Sequence, residues 1–401
     1  MNKNASISTQ DVVIVSGART AIGDFGGSLK AVRPAELGTI VVAEAVRRAG
    51  IQPDRISQCI FGNVLHSEPR DMYLSRVAAL QAGLSESTPC MTVNRLCGSG
   101  LQAIISAAQQ IQLGLCETAV AGGAESMSLA PYHLPAARFG QRMGDGVMLD
   151  PMIGALTCPV NHYHMGVTAE NVAEKYGISR EQQDRLSVES HNRAERAIQQ
   201  GYFKSQIVPV ELKTRKGTSL FDNDEHVRAN CSLSDLASLK PVFRKEGGTV
   251  TAGNASGIND AAAALVLMSG HEATASGCQI MARLVDYSVA GVDPKIMGIG
   301  PVPAVRTLLE RNGLAVHDVD IYELNEAFAA QALAVVQQLD LPAERVNPNG
   351  SGISMGHPIG ATGAILTVKA IYELERIQGR YAIVSLCIGG GQGIAVLLER
   401  P

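Results

Sequence analysis

Cys97 is the residue of this sequence best placed for nucleophilic chemistry. It follows a strand-like apolar run and comes directly before Gly98, Ser99 and Gly100, which open a predicted helix. A thiol at the positive end of a helix dipole has a lowered pKa, and the thiolate is its nucleophilic form. The flanking glycines would also let a ligand approach the backbone closely. We therefore predict a nucleophile here, with a buried structural cysteine as the alternative.

Three further side chains in the C-terminal part of the chain could support this nucleophile. His357 stands in the turn GHPIG, where an imidazole could act as a base for a thiol, although a structural histidine is the alternative. Cys387 opens onto the glycine run GGGQG, whose amides could form an oxyanion hole. Asn325 ends a strand and begins a helix, and here an N-cap is the alternative. The second thiol could serve as an acid or a base, so the set combines nucleophilic and proton-transfer chemistry.

Two other motifs compete with this interpretation and fit less well. GSGLQA, which opens the helix after Cys97, matches the loosened dinucleotide fingerprint. That fingerprint requires an acidic residue at the end of the second strand, whereas Glu117 precedes the next apolar run. GISMG at 352–356 matches a serine nucleophile elbow. In that family an acid and then a histidine follow the serine, and the last histidine of this chain is His357. We therefore favour neither a nicotinamide enzyme nor a serine hydrolase.

The composition limits the class of protein. The 401 residues are 46% hydrophobic and 18% charged with a net charge of -4, which argues against a disordered chain and against a broad nucleic-acid surface. No apolar run reaches the length of a membrane span, and the eight cysteines include no CxxC pair. A cytoplasmic protein with reduced thiols is expected. His162 and His164 form the only close histidine pair and lack further ligands at metal spacing, so we expect no metal and no bound cofactor.

Strand-like runs alternate with helical patterns in two parts of the chain. Residues 1–127 and 277–401 show the same order of runs, which predicts an internal duplication with mainly parallel α/β sheets. Residues 128–249 differ, because they are richer in charge and contain a long amphipathic helical stretch restarted by a capping box at Ser179. We interpret them as an inserted segment, after which residues 250–276 complete the first half. A ligand would bind in a cleft shared by both halves.

Five sequence blocks, taken together, resemble the signature blocks of the thiolase family and occur in the family order across nearly the whole chain. They are NRLCGSG, TAGNASG, NEAFAAQ, GHPIGATG and CIGGGQG. The resemblance implies an α/β fold of two βαβαβαββ halves in a five-layered α-β-α-β-α arrangement, with a loop domain inserted in the first half. It also implies an acyltransferase with coenzyme A thioesters as its substrates.

The resemblance further implies a role for each matching residue. In family terms Cys97 is the acylated nucleophile and His357 activates it. Cys387 would move the proton at the α-carbon of acetyl-CoA, and Asn325 would position a water. One oxyanion hole would come from the backbone amides of Cys97 and Gly389, and the other from His357 with that water.

Coenzyme A is expected to lie over the inserted loop domain, on residues that match family motifs. These residues are His164, Met165, Arg228, Leu239, Phe243, Ala252, Ser256, Ala327 and Phe328. Arg228 is expected nearest the nucleotide end, because a guanidinium suits phosphate or adenine recognition. A solvated surface arginine is the alternative.

Within the family, CGSG and the histidine of YHMG resemble the biosynthetic short-chain type, which condenses two acetyl-CoA molecules reversibly. The SGIS segment that begins at Ser351 resembles β-ketothiolases that also accept propionyl-CoA and form five-carbon products. The alternatives are a degradative 3-ketoacyl-CoA thiolase, a decarboxylating ketoacyl synthase and a silent acyl-CoA or lipid carrier. A homotetramer supported by residues 130–153, and a place in fatty acid metabolism or polyhydroxybutyrate precursor synthesis, are also implied.

Overall fold

A computed structural model describes residues 7–214 and 217–401 of the chain. The strands are β1 (Val12–Arg19), β2 (Gly23–Asp24), β3 (Gln58–Gly62), β4 (Cys90–Val93), β5 (Thr118–Ser126), β6 (Val210–Thr214), β7 (Gly217–Phe221), β8 (Asn259–Ser269), β9 (Ala282–Gly291), β10 (Ile321–Leu324), β11 (Tyr381–Ile388) and β12 (Gln392–Glu399). The helices are α1 (Pro34–Ala49), α2 (Leu74–Gln81), α3 (Ser99–Gln112), α4 (Pro151–Ala155), α5 (Met165–Tyr176), α6 (Arg180–Gln199), α7 (Leu233–Ala237), α8 (Gly270–Ala275), α9 (Pro301–Asn312), α10 (Ala329–Leu339), α11 (Gly352–Met355) and α12 (Thr362–Ile377).

The central strands are buried on both faces. β8 has the sequence NDAAAALVLMS, all of it buried, and it pairs with β5, which is also buried throughout. Continuous runs of small and aliphatic residues suit a sheet that is covered by helices on both sides. The helices have clear end signals: α1 begins at Pro34 and is followed by Gly50, whose φ of 71° gives a left-handed cap.

The strands follow the same order in the two halves of the molecule. In the first half the order is β4-β3-β5-β8-β1, with parallel pairing up to β5 and antiparallel pairing after it. In the second half the order is β10-β11-β12-β9 with the same change of direction, and a parallel bridge from Tyr322 to Val346 takes the place of the missing edge strand. The two sets join where Val12 to Ile14 of β1 pair with β9. The strand order is that of a duplicated unit.

Helices separate and cover these sheets in five layers. α3 and α12 pack on each other and contact strands of both sets, so they form the central layer. α1 and α2 cover the outer face of the first set, and α9 covers the outer face of the second, with α10 packed beside it. This arrangement confirms the predicted α-β-α-β-α fold class. None of the helices in the described part of the chain is long and apolar enough to cross a membrane.

The inserted segment packs against the first half through a buried ion pair. Both guanidinium nitrogens at the end of Arg19 bind the Asp224 carboxylate, at 2.7 and 2.9 Å, and Asp224 also accepts from the amide of Ile22. α5 ends at Gly177, and α6 restarts with the predicted capping box, in which Ser179 and Gln182 bond reciprocally. The chain then returns as β8, which lies between β1 and β5. The proposed limits of the inserted segment remain predictions.

The two halves touch through glycine backbone at the centre of the molecule. A Cβ atom at Gly123 of β5 would lie 2.2 Å from the carbonyl oxygen of Gly360, which precedes α12. A Cβ atom at Gly100 of α3 would lie 2.9 Å from the amide nitrogen of Ala364. Side chains at these positions would push apart the elements that bring the candidate residues together.

We expect Gly123→Ala to destabilise the protein by roughly 1–3 kcal/mol or more, because the new methyl group meets rigid backbone. Gly291→Ala is the matched control, since a Cβ atom there meets nothing within 4 Å. The urea midpoint and slope of unfolding measure the difference between the two variants. Equal midpoints for both variants would show that the seam between the halves accommodates a side chain.

Candidate active site

Cys97 lies on a tight turn between β4 and α3. The preceding residue, Leu96, has a φ of 47°, a left-handed conformation that is unfavourable for a residue with a branched side chain. Ser99 supports the turn, because its hydroxyl donates to the carbonyl of Leu96 at 2.7 Å and accepts from the amide of Arg95 at 2.8 Å. The strained turn directs Cys97 out of the strand at the start of a buried helix.

Two backbone amides converge on the sulfur of Cys97. They belong to Gly389, which follows β11, and to Cys97 itself. A Cβ atom at Gly389 would lie 2.8 Å from the terminal methyl group of Met165, so glycine leaves this amide close to the sulfur. Amides aimed at a reacting sulfur from two directions can stabilise negative charge on an oxygen formed there.

The sulfur of Cys97 is nevertheless a thiol in the ligand-free protein. Burial raises its pKa to about 11, although the amides of Gly389 and Cys97 act in the opposite direction. The carboxylate of Glu125 raises this pKa further. The sequence-based prediction of a lowered pKa at the helix terminus is therefore wrong for this state, because the loss of solvation outweighs the helix dipole and the amides.

His357 is held as a neutral imidazole with a defined tautomer. The hydroxyl of Thr362 lies 2.9 Å from the carbonyl of Pro358 and 2.7 Å from Nδ1 of His357, and we assign its single hydrogen to the carbonyl, so that it accepts from Nδ1. Nδ1 therefore carries the proton, and Nε2 keeps its lone pair. Burial lowers the pKa of His357 to about 4, which keeps the ring uncharged at neutral pH. A neutral imidazole with a free Nε2 can accept a proton.

Asn325 lies beside this ring at the end of β10. Its amide nitrogen is 3.3 Å from Nε2 of His357, and its Oδ1 is buried without a hydrogen-bond partner among the described residues. The backbone amide of His357 donates to Asn259 at 2.9 Å, which fixes the ring from the other half of the molecule. An unpartnered buried oxygen next to a base is suited to an ordered water or a polar substrate atom.

Cys387 is buried near the end of β11, two residues before Gly389. Burial raises its pKa well above the ordinary range of a thiol, and negative charge on Cys97 raises it further. Its side chain belongs to an apolar cluster with Met165 and Phe328. The structure thus brings together Cys97, Cys387 and Gly389, and separately His357 with Asn325.

A cavity of about 320 Å³ opens onto His357 between the inserted segment and the two halves. Its lining includes these predicted residues: His164, Phe243, Ala252, Ser256, Phe328 and His357. The rest of its lining, which sequence reasoning missed, is Met127, Leu156, Val242, Thr251, Ala255, Gly257, Ile258 and Ile359. Cys97 does not line this cavity, but it packs against a cluster that contains Met127 and Ile359, two residues of the lining. A cavity of about 360 Å³ between α6 and α10 contains none of the candidate residues.

The remaining predicted contact residues do not line this cavity. Met165 and Ala327 are buried in the cluster that contains Cys387. Leu239 is half-buried just after α7. Arg228 is exposed, and its backbone amide donates to Nδ1 of His191 at 3.1 Å. The described residues hold no group of three or more His, Cys, Asp or Glu side chains arranged for a metal ion.

Two residues that sequence reasoning missed hold His357 and the loop that carries it in place. One is Thr362, and its position in the GHPIGATG block is the only sequence signal that could have indicated it. The other is Glu125 of β5, whose buried carboxylate accepts from the amides of Val64, Leu65 and Gly360 at 3.1, 3.0 and 2.8 Å. Glu125 thereby ties the first half to the loop that carries His357, and no pattern in the sequence indicates these partners.

Thr362→Val tests the assignment of the base. Valine keeps the shape but leaves Nδ1 without an acceptor, so the tautomer with its lone pair on Nε2 loses its support. We expect the acylation of Cys97 by acetyl-CoA to slow by about tenfold or more, as measured in a rapid-quench experiment. Thr362→Ser keeps the hydroxyl and should retain most of the rate. An unchanged acylation rate in the valine variant would show that Thr362 does not position the base.

Comparisons with known proteins place the chain in a family. Residues 12–271 match the family model for the N-terminal domain of thiolase, and residues 278–400 match the one for the C-terminal domain. The beta-ketothiolase BktB of Cupriavidus necator is 63% identical over 98% of this chain and 100% of its own length. An acetyl-CoA acetyltransferase of the same organism is 50% identical over 97% of this chain and 99% of its own length.

Solved structures agree with these matches. The crystal structure of the Bacillus anthracis acetyl-CoA acetyltransferase superposes with a TM-score of 0.96 at 50% identity, covering 99% of this chain and 100% of that one. A human mitochondrial 3-ketoacyl-CoA thiolase, solved in complex with CoA, superposes with a TM-score of 0.95 at 41% identity, with coverage of 99% and 100%. The chain therefore belongs to the thiolase family and is an acyltransferase.

Proposed function

We propose that this protein is an acetyl-CoA C-acyltransferase of the β-ketothiolase type. It joins acetyl-CoA to a second short acyl-CoA, giving a 3-ketoacyl-CoA and free CoA, and it catalyses the reverse reaction. The observation that carries the proposal is the surroundings of the Cys97 sulfur, which receives the amide of Gly389 and lies within electrostatic range of a second thiol, Cys387. The names of the relatives, beta-ketothiolase and acetyl-CoA acetyltransferase, support the same reaction.

The first half-reaction transfers an acyl group to Cys97. The sulfur attacks the thioester carbonyl, and its proton passes to Nε2 of His357. The amides of Gly389 and Cys97 stabilise the oxyanion. The bond from carbon to the sulfur of CoA then breaks, and His357 returns the proton to the departing thiolate. Because both partners start uncharged, ionisation of Cys97 is coupled to attack instead of preceding it.

The second half-reaction requires a base for the α-proton of acetyl-CoA, and Cys387 is the candidate. A thiolate at Cys97 would raise the pKa of Cys387 further, and the acylated sulfur cannot carry that charge. Cys387 therefore loses its own proton in the acyl-enzyme without a neighbouring thiolate to oppose it. The amide of Asn325 lies where it could stabilise the enolate oxygen, directly or through a water, and the ring of His357 could do so while Nε2 holds the proton that Cys387 releases. The enolate carbon then attacks the acyl group on Cys97, the Cys97 sulfur leaves as a thiolate, and it takes up the proton that Cys387 released before accepting the α-proton.

The shape of the cavity suits coenzyme A and a short acyl chain. His164 and Phe243 stack with their ring centroids 4.7 Å apart at its wall, an apolar surface for a pantetheine arm. Arg228 is exposed outside the cavity, where a guanidinium could meet the nucleotide phosphates. No further cofactor is needed, because the thioester substrates supply the activated acyl group.

We also propose a tetramer in the cytoplasm. The loop before α4 exposes large apolar side chains, among them Phe139 and Met143, each 91% exposed. Such side chains are normally covered by another protein surface. All eight cysteines are free, which suits a reducing compartment. A supply of precursors for polyhydroxybutyrate, or a role in fatty acid metabolism, would follow from the reaction itself.

The two thiols can be distinguished by their variants. Cys97→Ala should abolish condensation and thiolysis, because no acyl-enzyme forms. Cys387→Ala should still form the acyl-enzyme on Cys97 but lose condensation by about 10²-fold or more, since the α-proton lacks its base. Intact-protein mass spectrometry with acetyl-CoA, together with a condensation assay, measures both steps. Retained condensation in Cys387→Ala would remove that residue from the mechanism. Cys116→Ala is the control cysteine variant.

The length of the acyl chain can be tested with a mixture of propionyl-CoA and acetyl-CoA. We expect both the four-carbon and the five-carbon 3-ketoacyl-CoA products, because the cavity beside His357 is lined by aliphatic side chains, including Ile258 and Ile359. Chromatography of the CoA thioesters measures the ratio of the products. Formation of the four-carbon product alone would restrict the enzyme to acetyl groups and leave the thiolase reaction itself intact.

A further inference from the structure

A chain of hydrogen bonds runs from the inserted segment to the main chain of His357. Nδ1 of His226 lies 2.5 Å from Oδ1 of Asp24, and the side-chain nitrogen of Asn259 donates to the same oxygen at 3.2 Å. Oδ1 of Asn259 then accepts from the backbone amide of His357 at 2.9 Å. The chain therefore joins the candidate base to Asp24 and His226, two residues that the catalytic steps described above do not use.

The direction of each bond follows from the groups that take part. The side-chain nitrogen of Asn259 also donates to the carbonyl of Gly23 at 3.1 Å, so this nitrogen faces two acceptors while its oxygen faces an N–H group. The opposite orientation of the amide would lose all three bonds. The pKa of Asp24 is lowered, chiefly by its hydrogen bond with His226, so its carboxylate is charged and can only accept. Nδ1 of His226 therefore donates.

The side chain of Asn259 has no room to take another position. It is fully buried at the start of β8. A Cβ atom at Gly356, whose φ is 102°, would lie 2.4 Å from the carboxamide carbon of Asn259. A Cβ atom at Gly257 would lie 2.7 Å from Oδ1 of Asn259 and 2.6 Å from the ring of His226. Because the amide is held between two glycines, a displacement at either end of the chain would move the main chain of His357.

Glu225 makes neighbouring contacts that offer a comparison. Its carboxylate accepts from the backbone amides of Asp24 and Ser28, at 2.9 and 3.1 Å, and from the hydroxyl of Ser28 at 2.7 Å. These bonds attach the same part of the inserted segment to the same loop of the first half. The bond from the Ser28 hydroxyl is not a member of the chain that ends at His357, so its loss separates general attachment from positioning.

We propose that Asp24 and His226 are positioning residues for the catalytic base. Through Asn259 they hold the main chain of His357, so that Nε2 lies where it receives the proton of Cys97 during acylation. Neither Asp24 nor His226 lines the cavity beside the base. The inference rests on the proposed function, in which His357 accepts that proton, and adds that the inserted segment controls the rate of this transfer.

Rapid-quench acylation of the whole enzyme by acetyl-CoA tests the proposal. Asp24→Ala removes the acceptor of the chain, and His226→Leu removes its donor. We expect each variant to slow acylation of Cys97 by about three- to tenfold, because a small displacement of a base weakens proton transfer. The concentration of acetyl-CoA that gives half the maximal rate should stay nearly unchanged. The solvent deuterium isotope effect on acylation should rise, since a displaced base makes proton transfer more rate-limiting.

Conservative variants test whether the hydrogen bonds themselves matter. Asp24→Asn keeps an oxygen that can accept from both donors, and it should retain most of the rate. His226→Asn places a nitrogen donor close to the position of Nδ1 and should retain the rate better than His226→Gln, whose amide reaches the position of Nε2. Ser28→Ala is the matched control, and it should acylate at the wild-type rate.

The double variant shows whether the two residues act in series. If His226 acts through Asp24, Asp24→Ala combined with His226→Leu should acylate no more slowly than Asp24→Ala alone. The amount of acyl-enzyme at completion counts the active sites, so each rate is expressed per active site. Circular dichroism confirms that each variant is folded.

Three results would overturn the proposal: wild-type acylation rates in the folded Asp24→Ala and His226→Leu variants, equal slowing in Ser28→Ala, or additive effects in the double variant. The second of these would reduce the effect to a general loosening of the inserted segment. A wild-type enzyme that forms no acyl-enzyme with acetyl-CoA would overturn the proposed function and this inference with it. The failure of the two proposals is therefore distinguishable.

Discussion

The site depends on the direct contact of main chain with main chain at the seam between the two halves. Gly123 of β5 lies against the carbonyl of Gly360, and the Glu125 carboxylate binds the amide of Gly360 from the opposite half. Gly360 follows His357 by three residues. The position of the base relative to the nucleophile is therefore set by rigid backbone and one buried carboxylate. Flexible side chains have little part in it.

A second property of the site follows from this tight seam, which excludes water. Burial keeps both thiols protonated and keeps the imidazole neutral. In such an environment an isolated charge is costly, but a charge that forms opposite preorganised donors is well stabilised. The amides of Gly389 and Cys97 provide those donors. The two thiols and the imidazole are thus uncharged in the resting enzyme, and charge appears on them when a substrate reacts.

Much of this arrangement could be predicted from local sequence patterns. The duplicated order of strands, the capping box at Ser179 and the turn that carries Cys97 each follow from a few adjacent residues. The family resemblance supplied the roles of the remaining site residues, and the comparisons confirm the family and the fold. The roles of individual residues stay predictions, because only the positions of these residues support them.

What could not be predicted arises from contacts between distant segments. The ionisation of Cys97 was predicted with the wrong sign, because the sequence shows the helix terminus but not the burial that opposes it. The donors around Glu125 come from two distant loops. The tautomer of His357 depends on a hydroxyl whose hydrogen is already used by Pro358.

The central helix α12 has a consequence for biosynthesis. It is buried on nearly every side and carries a charge pair, Lys369 with Glu323, whose two members are also buried. Because α12 packs on α3 and on strands of the first half, the apolar inner surface of that half stays uncovered until the ribosome has made the last tenth of the chain. Exposed apolar surface of this kind promotes aggregation. The first half can therefore bury this inner surface completely only after α12 has been synthesised.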